Sequence, residues 1–335
     1  MMGDKKISVI DSHTGGMPTR LLIDGLPPLR GSTMQEKADC FERNHSSIRT
    51  GIFREPRGLL RGVGAVLTEP ADPRADWGVF FLDSDYPCIP MCGHGLIGVV
   101  ASLAHQGLIS AARGGTSVII DTPAGLVKAE ATISEDQPVS VTFENVPAYW
   151  CGSVPVRLPG TDQLRADIAV CGESYGIIQA EALNIPFDRS SVRQLSETAG
   201  LIKQQINQTL SAQGCDIPVR HVDAVRFCGP LKDRHIKNMV VFSPGDRGID
   251  RSPCGTGTSA HTALLFFQDQ IALREPVIHE SIIGSRFTCQ ALETVEYFGF
   301  RAVIPQITGS AFIMHTGTLW LDDRDPHNAG FLLAD

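Results

Sequence analysis

Two short cysteine motifs contain the residues of this chain whose types and spacing could do chemistry. Met-Cys-Gly-His-Gly at residues 91–95 and Pro-Cys-Gly-Thr-Gly at residues 253–257 share a Cys-Gly-x-Gly core, and each opens an apolar stretch with helical periodicity. Cys92 and Cys254 are separated by about half of the 335-residue chain. The repeat predicts a duplicated lobe, with each copy contributing one cysteine to a shared cleft.

A cysteine at the start of a helix is well placed to act as a base. The unpaired N–H groups and the positive end of the helix dipole stabilise a thiolate, which lowers the thiol pKa from about 8.5 toward neutrality. The glycines let the backbone approach a bound carboxylate. If one sulfur is a thiolate and the other a thiol, the first removes a Cα proton from one face and the second delivers one to the other. We therefore expect a cofactor-independent amino-acid racemase or epimerase.

Other interpretations of these motifs fit less well. A single Cys-Gly-x-Gly is usually a tight turn with a buried thiol, but two copies favour a functional interpretation. Neither Cys92 with His94 nor Cys88 with Cys92 has a usual zinc-ligand spacing. The sequence has no Cys-x-x-Cys redox pair, no dinucleotide-binding glycine motif and no phosphate-binding loop motif. We expect no metal and no cofactor.

The elements that must position the two motifs are mostly strands. Helical periodicity is clear in only four segments, which predicts an α+β protein and not a doubly wound parallel sheet. The predicted strands lie at residues 7–10, 77–82, 117–120, 139–143, 238–242 and 311–314, and the predicted helices at 33–44, 96–105, 192–210 and 258–270. The length favours two domains. We predict a first lobe over residues 1–130 that is completed by a strand near 311–335, and a second lobe over residues 131–310, with the boundary in the turn-rich segment 121–138.

The composition excludes several classes of partner. A formal net charge of -8 disfavours binding to nucleic acid or to an anionic membrane surface. The sequence shows no signal-peptide pattern and no run of about 20 apolar residues. Nine scattered cysteines fit reduced thiols. We expect a cytoplasmic protein with a small-molecule substrate, no nucleic-acid or membrane partner, and a homodimer as a possible assembly.

Five motifs that follow one another over nearly the whole chain resemble the proline racemase family. They occupy residues 11–20, 55–58, 91–95, 250–259 and 279–284. The resemblance implies two similar lobes, each a curled and mostly antiparallel sheet around a central helix as in diaminopimelate epimerase, with the active site in the cleft between them. It also implies that Cys92 and Cys254 are the two acid/base thiols and that the substrate is a proline-like imino acid.

The resemblance also assigns the residues that bind the substrate. Gly93 and His94, together with Gly255 and Thr256, would hold the carboxylate through backbone N–H groups, and Asp250 would pair with the ring ammonium. Structural roles compete with two of these assignments. His94 could cap its helix or satisfy a buried hydrogen bond, and Asp250 could be a turn residue.

The residues at the two cysteine motifs divide the family. Members with cysteine at both positions resemble proline racemases or 4-hydroxyproline 2-epimerases, whereas trans-3-hydroxyproline dehydratases have threonine at the second. Cys254 therefore disfavours dehydration. Gly95 stands where proline racemases tend to carry asparagine, which favours the conversion of trans-4-hydroxy-L-proline to cis-4-hydroxy-D-proline. Proline racemase and trans-3-hydroxy-L-proline dehydratase stay open as alternatives, and a non-catalytic imino-acid binding protein is a remote one.

Several positions depart from the family pattern around the substrate ring. Leu59 stands where histidine is usual, Met17 where glutamate is common, and Leu96 where threonine is frequent. Ala224 occupies the position at which hydroxyproline epimerases place a substrate-contacting histidine, and His221 lies three residues earlier as a candidate replacement. These changes leave the proton chemistry intact and leave the preferred proline derivative open.

Overall fold

The computed structural model describes residues 5–58, 62–109, 115–134, 137–158, 164–212 and 215–333. The chain divides into two compact units. Unit 1 comprises Met1–Phe143 and Gly309–Asp335, and unit 2 comprises Glu144–Thr308. Each unit carries one of the two cysteine motifs, Cys92 in unit 1 and Cys254 in unit 2.

Unit 1 is a curled sheet whose strand pairing closes on itself. The strands pair in the order β1 to β7, then the C-terminal part of β16, which pairs with β1 again. Its strands are β1 (Lys5–Thr14), β2 (Met17–Asp24), β3 (Val63–Thr68), β4 (Trp77–Leu82), β5 (Thr116–Thr122), β6 (Gly125–Ser134), β7 (Gln137–Glu144) and part of β16 (Phe300–Leu321), and its helices are α1 (Met34–Phe53) and α2 (Gly93–His105).

Helix α2 is the central helix of unit 1. Every residue from Gly93 to Leu103 is buried, and the helix packs against β1, β2, β3 and β6. A helix that is buried on all sides needs an apolar sequence throughout, which Leu96–Leu103 supplies. Helix α1 instead packs against β4 and β5 with an apolar cluster of its own that includes Phe41. The closed sheet therefore surrounds the helix that follows Cys92.

Unit 2 repeats this arrangement. Its strands pair in the order β16, β15, β14, β12, β11, β10, β9, β8, and a bridge between Ala148 and Val303 connects the chain just before β8 to β16. Its strands are β8 (Tyr149–Pro155), β9 (Arg165–Cys171), β10 (Glu173–Gln179), β11 (Ala224–Cys228), β12 (His235–Val241), β13 (Ile249–Asp250), β14 (Val277–Ser281) and β15 (Arg286–Tyr297), and its helices are α3 (Val192–Ser211) and α4 (Gly255–Phe267).

The two units have the same internal topology. From β1 to β7 the successive pairings are antiparallel, parallel, antiparallel, parallel, antiparallel and antiparallel. In unit 2, the six successive pairings of β9, β10, β11, β12, β14, β15 and β16 have the same sequence of antiparallel and parallel contacts. The central helices also correspond, since α2 lies between β4 and β5 and α4 lies between β12 and β14. The predicted α+β fold with two similar lobes is confirmed.

The structure differs from the sequence-based elements at several boundaries. Helix α1 continues to Phe53, beyond its predicted end at residue 44, and α4 spans Gly255–Phe267 instead of residues 258–270. The predicted lobe boundary after residue 130 falls inside β6, because segment 121–138 contains paired strands of one sheet and its Gly125 lies at the hairpin between β5 and β6. No helix in the described part of the chain is long and apolar enough to cross a membrane.

Candidate active site

Cys92 is the residue immediately before α2. It has an extended backbone with φ -138°, its side chain is 9% exposed, and its carbonyl accepts the first helical hydrogen bond from the Leu96 N–H at 2.8 Å. The N–H groups of Gly93 and His94 precede that bond, so they belong to the first turn, whose N–H groups have no partner within the helix. The sulfur and these two N–H groups therefore share the N-terminal end of a buried helix, as the sequence predicted.

His94 contacts the sulfur of Cys92 through its ring. Its Nδ1 lies 3.5 Å from Cys92 Sγ, and its carbonyl accepts a 2.9 Å hydrogen bond from the hydroxyl of Thr14. Thr14 ends β1, so the hairpin of β1 and β2 fixes the first turn of α2. The His94 ring is thus a direct neighbour of the Cys92 sulfur, and helix capping alone does not describe its contacts.

The second glycine of each motif makes room for a sulfur atom. A Cβ built on Gly95 would lie 3.2 Å from Cys92 Sγ and 2.9 Å from the ring of Phe81. A Cβ built on Gly257 would lie 3.1 Å from Cys254 Sγ. Any larger residue would push on the thiol or its neighbour. The Cys-Gly-x-Gly spacing is therefore a packing requirement of a thiol at the start of a buried helix.

Cys254 occupies the corresponding position before α4, but its backbone is different. Its φ is 67°, a backbone conformation that residues other than glycine rarely adopt, and the residue is 3% exposed. Its N–H donates to the hydroxyl of Ser252 at 3.1 Å, and the Thr258 N–H donates to its carbonyl at 2.8 Å. The surrounding hydrogen bonds hold this residue in a strained conformation.

Asp250 anchors the loop that leads to Cys254. Its Oδ1 accepts hydrogen bonds from both the N–H and the hydroxyl of Ser252, each at 2.8 Å. Asp250 therefore stabilises a turn, which is the structural role that competed with its assignment as a substrate-binding residue. The carboxylate is also buried, and across the chain segments that the structure covers its hydrogen bonds use only Oδ1. Asp250 is therefore held firmly in the loop.

Thr256 contributes a side chain as well as a backbone N–H to this half of the site. Its Oγ1 lies 3.8 Å from Cys254 Sγ, 2.5 Å from Tyr175 Oη and 3.0 Å from Glu173 Oε2. Tyr175 Oη in turn lies 3.5 Å from Cys254 Sγ and donates to Glu173 Oε2 at 2.6 Å. Gly255, which lies between Cys254 and Thr256 in the chain, is the first residue of α4.

The sequence reasoning missed Glu173 and Tyr175. They come from β10, about 80 residues before the cysteine motif, and only the fold brings them to it. Their spacing of two residues along one strand is a signal that could have identified them. Residues two apart on a strand point to the same face, so a glutamate in phase with a tyrosine that faces the core marks a buried carboxyl.

The electrostatics of Cys254 differ from the sequence-based expectation. Burial, followed by the charges of Asp250 and Glu173, raises the pKa of the Cys254 thiol well above its usual range. Burial also raises the pKa of Glu173 to about 6 and the pKa of Tyr175 well above its usual range. The expected lowering of the Cys254 pKa by the helix is wrong for this site, because desolvation by the core and two nearby carboxylates opposes the helix N-terminus.

A fully buried arginine, Arg226, forms a hydrogen bond with the loop that leads to Cys254. Arg226 on β11 donates to the carbonyl of Pro253 at 2.9 Å, and its guanidinium lies 3.0 Å from His279 Nδ1 and 3.3 Å from His261 Nδ1. Burial, and then the charge of Arg226, lower the pKa of both histidines well below the usual range. Both imidazoles are therefore neutral acceptors for the guanidinium.

The positions that depart from the family pattern lie as follows. Ala224 is fully buried at the start of β11, beside Tyr175 in the strand register. The side chain of His221 is 68% exposed and pairs with Asp223 at 3.2 Å, so it does not take the place of a histidine at residue 224. Leu59 lies outside the described residues.

Burial makes several of the other thiols poor bases. Burial raises the pKa of Cys88 to about 11 and the pKa of Cys151, Cys228 and Cys289 to about 12. Within the residues that the structure describes, no three His, Cys, Asp or Glu side chains are grouped so that they could hold a metal ion.

Known proteins match this chain over nearly its whole length. The family described as Proline racemase matches residues 9–332. A 4-hydroxyproline 2-epimerase of Streptosporangium roseum is 38% identical over 327 residues, which cover 97% of this chain and 97% of that protein. A proline racemase of Clostridioides difficile is 35% identical over 337 residues, which cover 99% and 100%. A crystal structure of a hydroxyproline epimerase from Agrobacterium vitis with bound trans-4-hydroxy-L-proline has a TM-score of 0.88 and 30% identity, and covers 100% of this chain and 97% of that one. This chain belongs to the proline racemase family.

Proposed function

We propose that this chain is a 4-hydroxyproline 2-epimerase that converts trans-4-hydroxy-L-proline to cis-4-hydroxy-D-proline with Cys92 and Cys254 as its acid and base. The observation that carries the proposal is the equivalence of the two thiols. Each is a buried cysteine directly before the central helix of a unit, and the two units have the same topology. Relatives named as 4-hydroxyproline 2-epimerase and as hydroxyproline epimerase support the substrate.

The proposed reaction needs only the two sulfur atoms to move protons. One sulfur, as a thiolate, takes the Cα proton, and the electron pair of the broken C–H bond passes into the carboxylate as an enediolate. The other sulfur, as a thiol, delivers its proton to the opposite face of Cα, and the electron pair returns to form the new C–H bond. The enzyme ends with the protonation states of Cys92 and Cys254 exchanged, which prepares it for the reverse reaction.

The charge that develops in this reaction lies on the substrate carboxylate. In the proposal it is held by the first-turn N–H groups of the two central helices, those of Gly93 and His94 and those of Gly255 and Thr256, because fixed N–H donors stabilise a developing oxyanion without reorganising. Asp250 pairs with the ring ammonium, which keeps the positive charge next to Cα and makes the proton more acidic.

The raised pKa of Cys254 indicates which protonation state predominates at rest. Because burial favours the neutral form of this thiol, Cys254 is a proton donor in the resting enzyme of this proposal. Catalysis in the opposite direction requires the thiolate of Cys254, so the groups around Cys254 must be able to support a negative charge on its sulfur.

One observation favours proline itself as a second candidate substrate. Ala224 is buried, and the exposed side chain of His221 does not replace the histidine that the resemblance places at residue 224. A site without that imidazole has lost a partner for a ring hydroxyl. The proline racemase of Clostridioides difficile, at 35% identity, is consistent with this alternative.

The test is deuterium exchange in D2O with trans-4-hydroxy-L-proline, L-proline and trans-3-hydroxy-L-proline as separate substrates. We expect inverted product that carries deuterium at Cα from the first substrate, with the unreacted substrate still protonated at early times. Faster exchange on L-proline would favour the racemase, and a dehydrated product from the third substrate would favour the dehydratase. Substrate binding without exchange on any of the three would overturn the proposal.

Single cysteine variants assign the roles. Cys92→Ser and Cys254→Ser should each lower the inversion rate by at least about 10³-fold, because each thiol serves once as base and once as acid. Cys88→Ser and Cys151→Ser are matched controls, since these thiols are only partly buried and their raised pKa values make them poor bases. Near-normal inversion by either active-site variant would contradict the two-thiol scheme.

A further inference from the structure

We infer that Glu173 is a positioning residue whose protonation state decides whether Tyr175 can donate a hydrogen bond to a thiolate at Cys254. This inference rests on the proposed function, because it concerns the direction of catalysis in which Cys254 acts as the base. Glu173 touches neither sulfur nor, in this scheme, the substrate. It acts through Tyr175 and Thr256.

Three oxygen atoms form a closed triangle next to Cys254. Glu173 Oε2 is 2.6 Å from Tyr175 Oη and 3.0 Å from Thr256 Oγ1, and the two hydroxyl oxygens are 2.5 Å apart. All three separations are hydrogen-bond distances. Two of the three oxygens, those of Tyr175 and Thr256, also reach toward the sulfur, at 3.5 and 3.8 Å.

The number of hydrogens needed by this triangle depends on Glu173. Three oxygen–oxygen contacts require three hydrogens, and the two hydroxyls supply two of them. A protonated Glu173 supplies the third, so that each group donates once and accepts once around the ring. With an ionised Glu173, both hydroxyls donate to the carboxylate and the 2.5 Å contact between Tyr175 and Thr256 has no hydrogen between its oxygens. The geometry therefore matches the protonated carboxyl.

The same count applies to the sulfur. When Glu173 is ionised, the carboxylate takes the single phenolic hydrogen of Tyr175, and its negative charge opposes a thiolate at Cys254. When Glu173 is neutral and the sulfur has lost its proton, the ring of hydrogen bonds opens at the contact between Tyr175 and Thr256. The Glu173 hydrogen points to Tyr175 Oη, the Thr256 hydroxyl donates to Glu173, and the phenolic hydrogen turns to the sulfur 3.5 Å away. A thiolate with a hydroxyl donor is more stable than one without. Protonation of Glu173 thus favours the basic form of Cys254.

The surroundings of Glu173 come from several elements. Besides Tyr175 on its own strand, its carboxyl is influenced by Asp250 on β13 and by Asp223 before β11, whose charges oppose its ionisation. Lys203 on α3 favours its ionisation but donates to the carbonyls of Asp223 and Phe242. Among the residues that the structure describes, the titratable and charged groups that face it are Cys171, Lys203, Asp223, Asp250, Cys254 and Tyr175.

Burial is the largest influence on the carboxyl and exceeds the effect of the two hydroxyl donors. It raises the pKa of Glu173 to about 6. An ordinary glutamate has a pKa near 4.3 and would be ionised throughout the neutral range. Glu173 therefore titrates within the range in which the enzyme can be assayed.

The test measures alkylation of individual thiols by iodoacetamide, without substrate, between pH 5 and 9, with peptide mass spectrometry to separate Cys254 from Cys92. In the wild-type protein the logarithm of the Cys254 rate should rise with pH, flatten for about one pH unit above pH 6, and rise again, because ionised Glu173 opposes the thiolate. The rate of Cys92 in the same samples should show no such flattening.

Two variants separate the charge from the shape of the side chain. Glu173→Gln removes the ionisation, so the flattening should disappear and the Cys254 rate at pH 7.5 should rise about tenfold. Glu173→Asp keeps the charge and should retain the flattening. A wild-type Cys254 profile with one uniform slope, or an unchanged Cys254 rate in Glu173→Gln, would overturn the inference, and the wild-type profile decides it even if a variant fails to fold.

Turnover gives a second readout that distinguishes this inference from the proposed function. The inflection near pH 6 should appear in kcat/KM and disappear in Glu173→Gln, equally in both directions, since the equilibrium constant fixes the ratio of the two kcat/KM values. Alkylation needs no substrate. A protein that exchanges no deuterium with any proline derivative refutes the proposed function, whereas an active enzyme with a uniform alkylation profile refutes only the role of Glu173.

Discussion

Two cysteines in the same sequence motif have different backbone conformations. Cys92 has φ -138°, an ordinary extended conformation, whereas Cys254 has φ 67°. A residue other than glycine at such a position costs about 1–3 kcal/mol and persists only when its surroundings enforce it. Ser252 and Arg226 are those surroundings, since they hold the N–H of Cys254 and the carbonyl of Pro253. The strain thus lies at one of the two thiols that we propose for catalysis.

This difference predicts opposite stability effects for the same pair of substitutions. At position 254, Cys254→Gly should be more stable than Cys254→Ala by about 1 kcal/mol, because glycine relieves the positive φ. At position 92, Cys92→Gly should be less stable than Cys92→Ala by about 0.5–1 kcal/mol, because φ is unstrained and glycine adds only flexibility to the unfolded chain. Denaturant unfolding of the four variants measures both differences. Equal alanine-to-glycine effects at the two positions would contradict the prediction.

At the residue scale, the sequence predicted groups that are neighbours along the chain and missed those that only the fold brings together. Cys92, His94, Cys254 and Thr256 could be found because each pair is two residues apart, and the side chains of His94 and Thr256 do approach the two sulfurs. Tyr175 could not be found in this way. The direction of the Cys254 pKa was also out of reach, because it depends on desolvation by core residues that the motif does not contain.

At the element scale, the motif at residues 11–20 is the hairpin of β1 and β2. Gly15 and Gly16, with φ 58° and 89°, form its turn. Asp11 and Arg20 are opposite each other in the register, both buried, and joined by a two-point ion pair at 2.8 and 2.9 Å. Arg20 also donates to the carbonyl of Ile52 at the end of α1. The pair therefore fixes the hairpin against α1, and its role is structural.

Removal of one partner of this ion pair should destabilise the protein severely. Arg20→Met leaves the Asp11 carboxylate buried without its partner, and we expect a loss of about 3–5 kcal/mol in the free energy of unfolding. The double variant Asp11→Leu with Arg20→Met should recover most of that loss, because no unpaired charge remains. Chemical denaturation of the two variants gives the comparison. A double variant as unstable as Arg20→Met would mean that the arginine acts through its carbonyl contacts.

The predicted elements were most accurate where the hydrophobic period was uninterrupted. The strand predicted at residues 77–82 matches β4. The helix predicted to end at residue 44 stops where α1 is kinked, since His45 has non-helical angles of φ -138° and ψ 20°. The helix resumes after the kink because Ile48 and Ile52 still face the apolar cluster that α1 shares with β4. Tertiary packing carried the helix through a polar segment that local propensity would have ended.

At the scale of the whole molecule, a short repeat in the sequence corresponds to a repeat of the fold. The Cys-Gly-x-Gly repeat covers only a few residues, yet it marks equivalent positions in two units with the same order of strand pairing. The boundary between the units could not be derived in the same way. Strand β16 contributes to both units, so the division at residues 308 and 309 falls inside a continuous strand that no turn or linker marks.

Neutral buried histidines in unit 2 predict acid sensitivity of the whole protein. The pKa of His261 and of His279 is lowered in the folded state, so below about pH 6.5 the unfolded chain binds more protons than the native one, and stability falls as pH falls. Each histidine contributes up to about 1.4 kcal/mol per pH unit. Glu173 opposes this below pH 6, because its raised pKa makes the native state bind one more proton than the unfolded chain.

The expected stability therefore declines between pH 6.5 and 6, where unfolding takes up as many as two protons, and declines more gently below pH 6, where Glu173 offsets one of them. Urea unfolding at constant ionic strength from pH 8 to 5 measures the slope. His279→Gln keeps an acceptor for Arg226 but cannot be protonated, so it should remove about half of the decline, whereas His221→Gln at an exposed position should leave the decline unchanged. Stability that is constant from pH 8 to 5 would contradict the lowered pKa of the two histidines.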